Sequence, residues 1–469
     1  MLSNFKFVPG GRILSGAGTA HEVTYYNCYV VGIGENPLDP QAPKRPQLDP
    51  EPGRQAFFTA LGEMTDIMAR SGGVGMNLSS LAPAGTPIGA PDRGRAGIAR
   101  PMVALSIGHP DIETLLDQRD HPSLAHLDLG VIVPHAFDQA LAAGADWSLD
   151  WVGMPARSVP ARALWDRLQG GEGRPLQILR PGARMLALED SRESIVEGAR
   201  EAALALFAGR SLVVDFSQLR PKGAYIKTVN GTSSGPVAWM YLYDALARAD
   251  DGATDGERGV IWFGEIASTI TGKTIQQGGS RRGALMLMLD DDHPDVEAFV
   301  AAKRIDPVTG RPVMLEHANL SVCVSDAFMA AVRADLPWDL QWQGRVVRTI
   351  RARALWEQIC ASAWATAEPG VVFMQRAREQ SPMWYRENIR CTNPCVTGET
   401  LVYTAAGLYR ADYLAALGTP VRVASPGQDG ISFRQATHVF PTGTKQVYRL
   451  ETEEGYGLRL TADHRVLTT

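Results

Sequence analysis

In "HANLSVCVSDAFMAAV" (317–332), apolar Leu320 and Val322 alternate with smaller and polar residues, and the pattern then turns helical after Ser325-Asp326. Alternation marks a strand and wider apolar spacing a helix, so the stretch predicts strand, cap, helix. "HPDIETLLDQRD" (109–120) and "HPDVEAFVAAKR" (293–304) each put an i, i+3, i+4 apolar pattern behind His-Pro-Asp, which predicts a helix N-terminus. Strands alternating with helices predict an α/β architecture. The Gly/Asp/Arg-rich stretches 90–99 and 249–258 predict surface loops. At Cys395 the texture changes to short alternating strands with Gly and Pro turns, which predicts a small all-β segment and a domain boundary.

The chain also resembles itself. "GGVGMNLSSLAPAGTPI" (72–88) is similar to "RSLVVDFSQLRPKGAYI" (210–226), the two "HPD" segments match, and "ADWSLDW" and "ARALWDRL" recur as "PWDLQW" and "ARALWEQI". The offset rises from 138 at the first pair to 184 at the "HPD" pair, so the second copy holds extra loops, "VNGTSSGPVAWMYLYD" and "TIQQGGSRRGALMLML" among them. Two copies make a duplicated module, since a solenoid needs at least three.

Composition narrows the classes. The 469 residues allow two to four domains, and 45% apolar with 21% charged residues is ordinary globular usage. A net charge of −5 disfavours nucleic acid as a partner. No signal-peptide pattern opens the chain and no apolar run reaches the roughly 18 residues of a membrane span, so a cytoplasmic protein is expected. Cys28, Cys323, Cys360, Cys391 and Cys395 lack the spacing of a disulfide framework or zinc site; no metal is expected, and thiol chemistry stays open.

Three loops are candidates for ligand contact. "KFVPGGRILSGAGT" (6–19) lets backbone N–H groups approach a phosphate. "TIQQGGSRRGALMLM" sets Arg281 and Arg282, planar forks for a phosphate or base edge, beside Gly278-Gly279. "VNGTSSGPVAWM" offers Asn230 and Ser233 before a helix, where an ordinary N-cap is the plainer reading. Cys28 lies in a β-type run, where a small buried hydrophobe is the plainer reading.

In order, "FVPGGRIL-x-GAGT … NCYV", "SGGVGMNLSSL", "VNGTSSGPVAWMYLYD", "QGGSRRGALM … HPD", "NLSVCVSDAFM", "EPGVVFM" and "TNPC" resemble the large catalytic chain of ribonucleotide reductases, most nearly the adenosylcobalamin-dependent (class II) branch, over most of residues 5–395. The resemblance implies the first part of a ten-stranded α/β barrel and replacement of the ribose 2′-hydroxyl by hydrogen through thiyl-radical chemistry. It implies a redox-dithiol role for Cys28, a ribose contact for Asn393, and substrate binding by Ser15, Gly18, Thr19 and Asn27. Asn230, Ser233 and the Gln277, Gly278, Gly279, Ser280, Arg281, Arg282 run would form an effector and specificity loop. Adenosylcobalamin as cofactor, deoxynucleotide or ATP effectors and a thioredoxin-type reductant come with it. Against the family pattern, an N-terminal helical region, the general-base glutamate, the second redox cysteine and the second half of the barrel are missing, and the copy at 70–170 lacks both nucleotide loops.

From Cys395 the chain resembles the N-terminal splicing region of an intein. "CVTGETLVYT" looks like its first block and "GYGLRLTADHRVLTT" its second, with Thr461 and His464 at T-x-x-H spacing. That implies Cys395 as a nucleophile on the Pro394 carbonyl, standing where the radical cysteine belongs, His464 as proton donor to the departing nitrogen, and Thr461 as its orienting partner. The expected organisation is 1–70 (barrel start), 71–208 (first copy), 209–394 (second copy with nucleotide loops) and 395–469 (intein segment). The chain would be an incomplete precursor, inactive alone: either one half of a split intein, joined by a complementary C-terminal chain, or a truncated open reading frame. An iron-dependent (class I) large subunit and a non-catalytic nucleotide-binding remnant are the alternatives.

Overall fold

The computed structural model describes residues 24, 28–34, 47–70, 72–84, 86, 101–170, 173–182, 185–207, 210, 212–227, 231–247, 259–274, 284–305, 312, 314–381, 389–392, 401–417, 421–427, 430–436, 448–451 and 457–460. The chain forms two compact units, one from residues 1–49, 70–83 and 284–469, the other from 50–69 and 84–283. Their main sheets use β1 (Cys28–Val31), β2 (Gly73–Asn77), β3 (Met102–Ser106), β4 (Asp128–Ile132), β5 (Gln177–Leu179), β6 (Leu186–Ala187), β7 (Val213–Asp215), β8 (Ala284–Asp290), β9 (Ala318–Cys323) and β10 (Gly370–Val372). The first sheet runs β1-β2-β8-β9-β10 and the second β6-β7-β3-β4-β5. All neighbours are parallel. This is the expected α/β class with parallel strands.

Parallel neighbours need crossover connections, usually helical. In the first unit Val296–Ala301 follows β8, and Asp326–Ala334 with Ala352–Thr366 separates β9 from β10. The predicted strand–cap–helix at 318–334 is present: Ser325 Oγ accepts from Phe328 N at 3.0 Å. Both "HPD" motifs start helices, at Ile112 and Val296, and both "W-x-L" motifs lie in antiparallel hairpins. The core of the first unit holds Val74, Met76, Leu285, Leu287, Leu289, Leu320 and Val322 on one sheet face, each at most 1% exposed. After residue 400 the described strands are all antiparallel, as the alternation predicts, with one short helix, Ala411–Leu417, added. The stretches 90–99 and 249–258 lie outside the described residues. Among the described residues no helix is long and apolar enough to cross a membrane.

The units do not follow the sequence copies. Along the chain the first sheet fills its places in order, whereas the second fills its third, fourth and fifth places before its first and second. Each sheet therefore combines strands from both copies, and equivalent bonds recur in the two. Leu78 N donates to Met288 O at 2.9 Å and Phe216 N to Ala104 O at 2.9 Å. Asp290 N donates to Ser79 Oγ at 2.8 Å, and Ser106 N to Ser217 Oγ at 2.7 Å.

The "HPD" histidines are structural in both units. His293 Nδ1 accepts from Asp295 N (3.1 Å) and its Nε2 donates to Leu81 O (3.0 Å). His109 does the same with Asp111 N (3.0 Å) and Leu219 O (2.8 Å). Since the backbone N–H can only donate, each ring is the neutral Nε2–H tautomer. Burial lowers the His109 pKa and keeps that ring neutral. Each ring meets a tryptophan edge-on, Trp342 at 5.4 Å and Trp151 at 5.5 Å. The expected histidine-led helix start thus does a second thing in each unit, since its ring bonds the chain just beyond the neighbouring strand of the sheet, β2 beside β8 and β7 beside β3.

Candidate functional site

Residues paired across a parallel ladder project to the same side of the sheet. The registers of the first sheet therefore give one face Cys28, Gly73, Gly75, Asn77, Met286, Met288, Asp290, Asn319, Ser321 and Cys323. The opposite face carries the Val and Leu residues of the core. The small, polar and sulfur-bearing face is the candidate site. Cys28 opens β1, half-buried, level with Gly73.

A short irregular segment, residues 389–392, crosses this face. Arg378 Nε donates to Ile389 O at 2.8 Å, and Asn77 Nδ2 donates to Arg390 O at 3.0 Å. Thr392 N lies 3.3 Å from Met288 Sδ, a weak acceptor. Cys391 is buried in a cluster with Met286, Met288, Cys323, Val372 and Met374. A Cβ added at Gly75 would stand 2.6 Å from Cys391 Sγ and 2.9 Å from Thr392 O. The segment thus lies directly on the glycine of β2. Gly75 is two residues along β2 from Gly73, the partner of Cys28, which is about 7 Å at strand rise.

Electrostatically this end of the sheet favours a neutral thiol at Cys323. Burial pushes the Cys323 thiol well up, with help from the neighbouring Asp290 carboxylate. Asn77 Nδ2 approaches Asp290 Oδ1 at 3.4 Å and Cys323 Sγ at 3.9 Å, a loose shared contact beside its shorter bond to Arg390. Next to them Asp291 is raised to about 7, first by burial and then by the charges of Asp292 and Asp290. Ser321 Oγ is buried with no hydrogen-bond partner among the described residues.

Of the site residues expected from sequence, Cys28 and Ser233 are described. Ser233 is buried, and its hydroxyl serves its own loop: Oγ accepts from Gly235 N (3.0 Å) and donates to Arg220 O (3.2 Å). The two belong to different units. Ser15, Gly18, Thr19, Asn27, Asn230, Gln277, Gly278, Gly279, Ser280, Arg281, Arg282, Asn393, Cys395, Thr461 and His464 lie outside the described residues. Sequence reasoning missed Gly75, Asn77 and Met288. The aligned copies held a usable signal, since Gly75 faces Val213 and Asn77 faces Asp215 in that alignment.

The ribonucleotide reductase barrel-domain family model matches residues 183–260 and 250–407. A vitamin B12-dependent ribonucleoside-diphosphate reductase of Mycobacterium tuberculosis is 35% identical over 229 residues, which is 48% of this chain and 29% of that protein. One from Thermoplasma acidophilum is 30% identical over 226 residues, 48% of this chain and 26% of that protein. A ribonucleoside-diphosphate reductase large subunit of Caenorhabditis elegans is 26% identical over 243 residues, 46% of this chain and 27% of that protein. The chain spans less than a third of the length of these relatives. A solved B12-dependent (class II) ribonucleotide reductase is similar at 16% identity with a TM-score of 0.42, covering 78% of this chain and 39% of that one. Over residues 183–407, just under half of its length, this chain is similar to the barrel-domain family of the ribonucleotide reductase large subunit.

Proposed function

We propose that the chain is part of a B12-dependent ribonucleotide reductase, reducing ribonucleotides on the Cys28 face of its first sheet. One observation carries the reading: residues 391–392, which run into Asn393-Pro394-Cys395, lie across the face that bears Cys28. A finger of chain that brings a thiol over a strand cysteine is what thiyl-radical reduction needs. The relatives named as vitamin B12-dependent are more similar than the large subunit from Caenorhabditis elegans, which favours the cobalamin branch.

Adenosylcobalamin, when bound, supplies the homolysis that side chains cannot. The site fits such a group by its chemistry: thiols are hydrogen-atom donors, and Gly73, the partner of Cys28, carries no side chain on that face. The residues that would face it are Cys28 and the loop after Thr392.

In this reading the cysteine of the loop removes the ribose 3′-hydrogen, and Asn393 hydrogen-bonds the ribose. Cys28 and a second thiol reduce the substrate: two thiols become one disulfide, the 2′-hydroxyl leaves as water, and hydrogen takes its place. A thioredoxin-type dithiol then reduces that disulfide. Ser15, Gly18, Thr19 and Asn27 bind the substrate, and Asn230, Ser233 and Gln277 to Arg282 carry effector identity. Burial of Met288, Cys323 and Cys391 at the seat of the loop keeps water from the radical.

We further infer that Cys395 is the first residue of an intein, with Thr461 and His464 assisting an N-to-S acyl shift. The all-antiparallel strands after residue 400 support this. A second reading, that Cys395 is itself the radical cysteine, is favoured by the family match continuing to residue 407. Dithiothreitol separates them: the first predicts thiol-induced cleavage between Pro394 and Cys395, abolished by Cys395→Ala, and an intact chain contradicts it. The reductase reading itself is tested by joining the chain to a complementary second half. Deoxyribonucleotide formation that requires adenosylcobalamin and no second radical-bearing subunit is expected; nucleotide binding without turnover would overturn it.

A further inference from the structure

We infer that Gly75 and Asn77 are positioning residues, the seat that holds residues 390–392 against the sheet. The geometric part stands alone, and its consequence for catalysis rests on the reductase reading.

The second sheet is a built-in control. Its β7 occupies the place of β2 and makes the same bonds to its neighbour, yet it carries Val213 for Gly75 and Asp215 for Asn77. Asp215 Oδ1 accepts from Ser217 N at 2.9 Å, and Asn77 Oδ1 accepts from Ser79 N at 2.9 Å. The turn after the strand therefore needs only the acceptor half of the side chain. The amide nitrogen of Asn77 is surplus to that turn, and it is the atom that holds Arg390 O.

Gly75 argues the same way. Glycine weakens a strand interior and valine favours one, so the strand by itself would prefer the residue found in β7. What excludes a side chain is the close approach of Cys391 Sγ and of the Thr392 carbonyl, a backbone atom that cannot swing aside. One residue removes bulk and the other adds a donor, two steps apart on one face. Both serve residues 390–392.

The test puts the residues of β7 into β2 in the full chain: Gly75→Val and Asn77→Asp. Both side chains are already compatible with this strand geometry, so the sheet should survive, as circular dichroism and the melting profile would show. Native maleimide labelling with peptide mapping then reads the access of each thiol. Cys391 is 2% exposed, with Cys323 at 5% as the buried reference and Cys360 as the exposed one. Labelling of Cys391 is expected to rise about tenfold or more in each variant, the factor of one lost hydrogen bond or packing contact, with Cys323 still protected. Unchanged protection of Cys391 overturns the seat. Joint exposure of Cys391 and Cys323 also overturns it, because the two residues would then be supporting the sheet itself. If a joined chain shows the expected labelling and no reductase activity, the function reading fails and the seat stands.

Discussion

One amide nitrogen separates Asn77 from Asp215, and it decides whether a strand end merely turns or also holds a passing segment. Asp291 shows the opposite economy. Its carboxyl is buried, accepts from Ser325 N (2.6 Å) and Ser325 Oγ (2.9 Å), and still titrates near 7 because desolvation outweighs those bonds. A raised carboxyl pKa means that the folded chain binds this proton more tightly than the unfolded one. Its contribution is complete below about pH 4 and is lost as pH rises toward 7. Asp291→Asn should flatten that fall, on the order of a few kcal/mol across the window. Denaturant midpoints at several pH values measure it, and parallel pH slopes for parent and variant would contradict it. Sequence reasoning could not find Asp291, whose pKa depends on burial that no spacing encodes. Cys28 was singled out by its motif order, and the structure places it on the candidate face.

Elements were the most legible level. Ser325 was predicted as the boundary between strand and helix, and it caps Phe328 N. Ser325→Ala should cost about 1–2 kcal/mol, read from the shift of the denaturation midpoint; a neutral effect would show that the helix start does not depend on this cap. The alternation in β8 set Leu285, Leu287 and Leu289 apart from Met286 and Met288. Periodicity separates two faces, but both faces of this strand are buried, so it could not tell which one carries chemistry. Residues 389–392 were illegible for another reason. They have no regular backbone, and their place is set by bonds to Arg378, Asn77 and Met288, two of them distant in sequence.

At the scale of the molecule, duplication was visible in the sequence and its outcome was not. Similar copies offer each strand two equally fitting partners, and local pattern cannot choose between them. The chain chose exchange: β2 of the first copy pairs with the β8–β10 group of the second, and β7 of the second copy joins the sheet of β3–β5. A protease site introduced at 183, between β5 and β6, should therefore leave the nicked chain as one non-covalent particle on gel filtration, since each fragment supplies strands to both sheets. Fragments that separate as two folded species would show that each copy keeps its own strands. In the second unit the face equivalent to the site has Val213, Asp215, Gly130 and Ile132, with Leu179 Cδ1 within 2.8 Å of the space over Gly130. That filled face has no thiol; every cysteine of the sequence belongs to the first unit. Phe299→Ala there, at a residue with no exposed surface, should cost about 3–5 kcal/mol by denaturant titration.

The most direct measurement is thiol-to-thiol cross-linking of the full chain with a short bifunctional reagent, read by peptide mass mapping. The account predicts a Cys28–Cys395 link, lost or displaced in Gly75→Val, with Cys360 unlinked. Cys395 that never links to Cys28, while the chain is folded and both thiols label singly, would contradict the claim that residues 389–392 deliver it to the face of the strand cysteine.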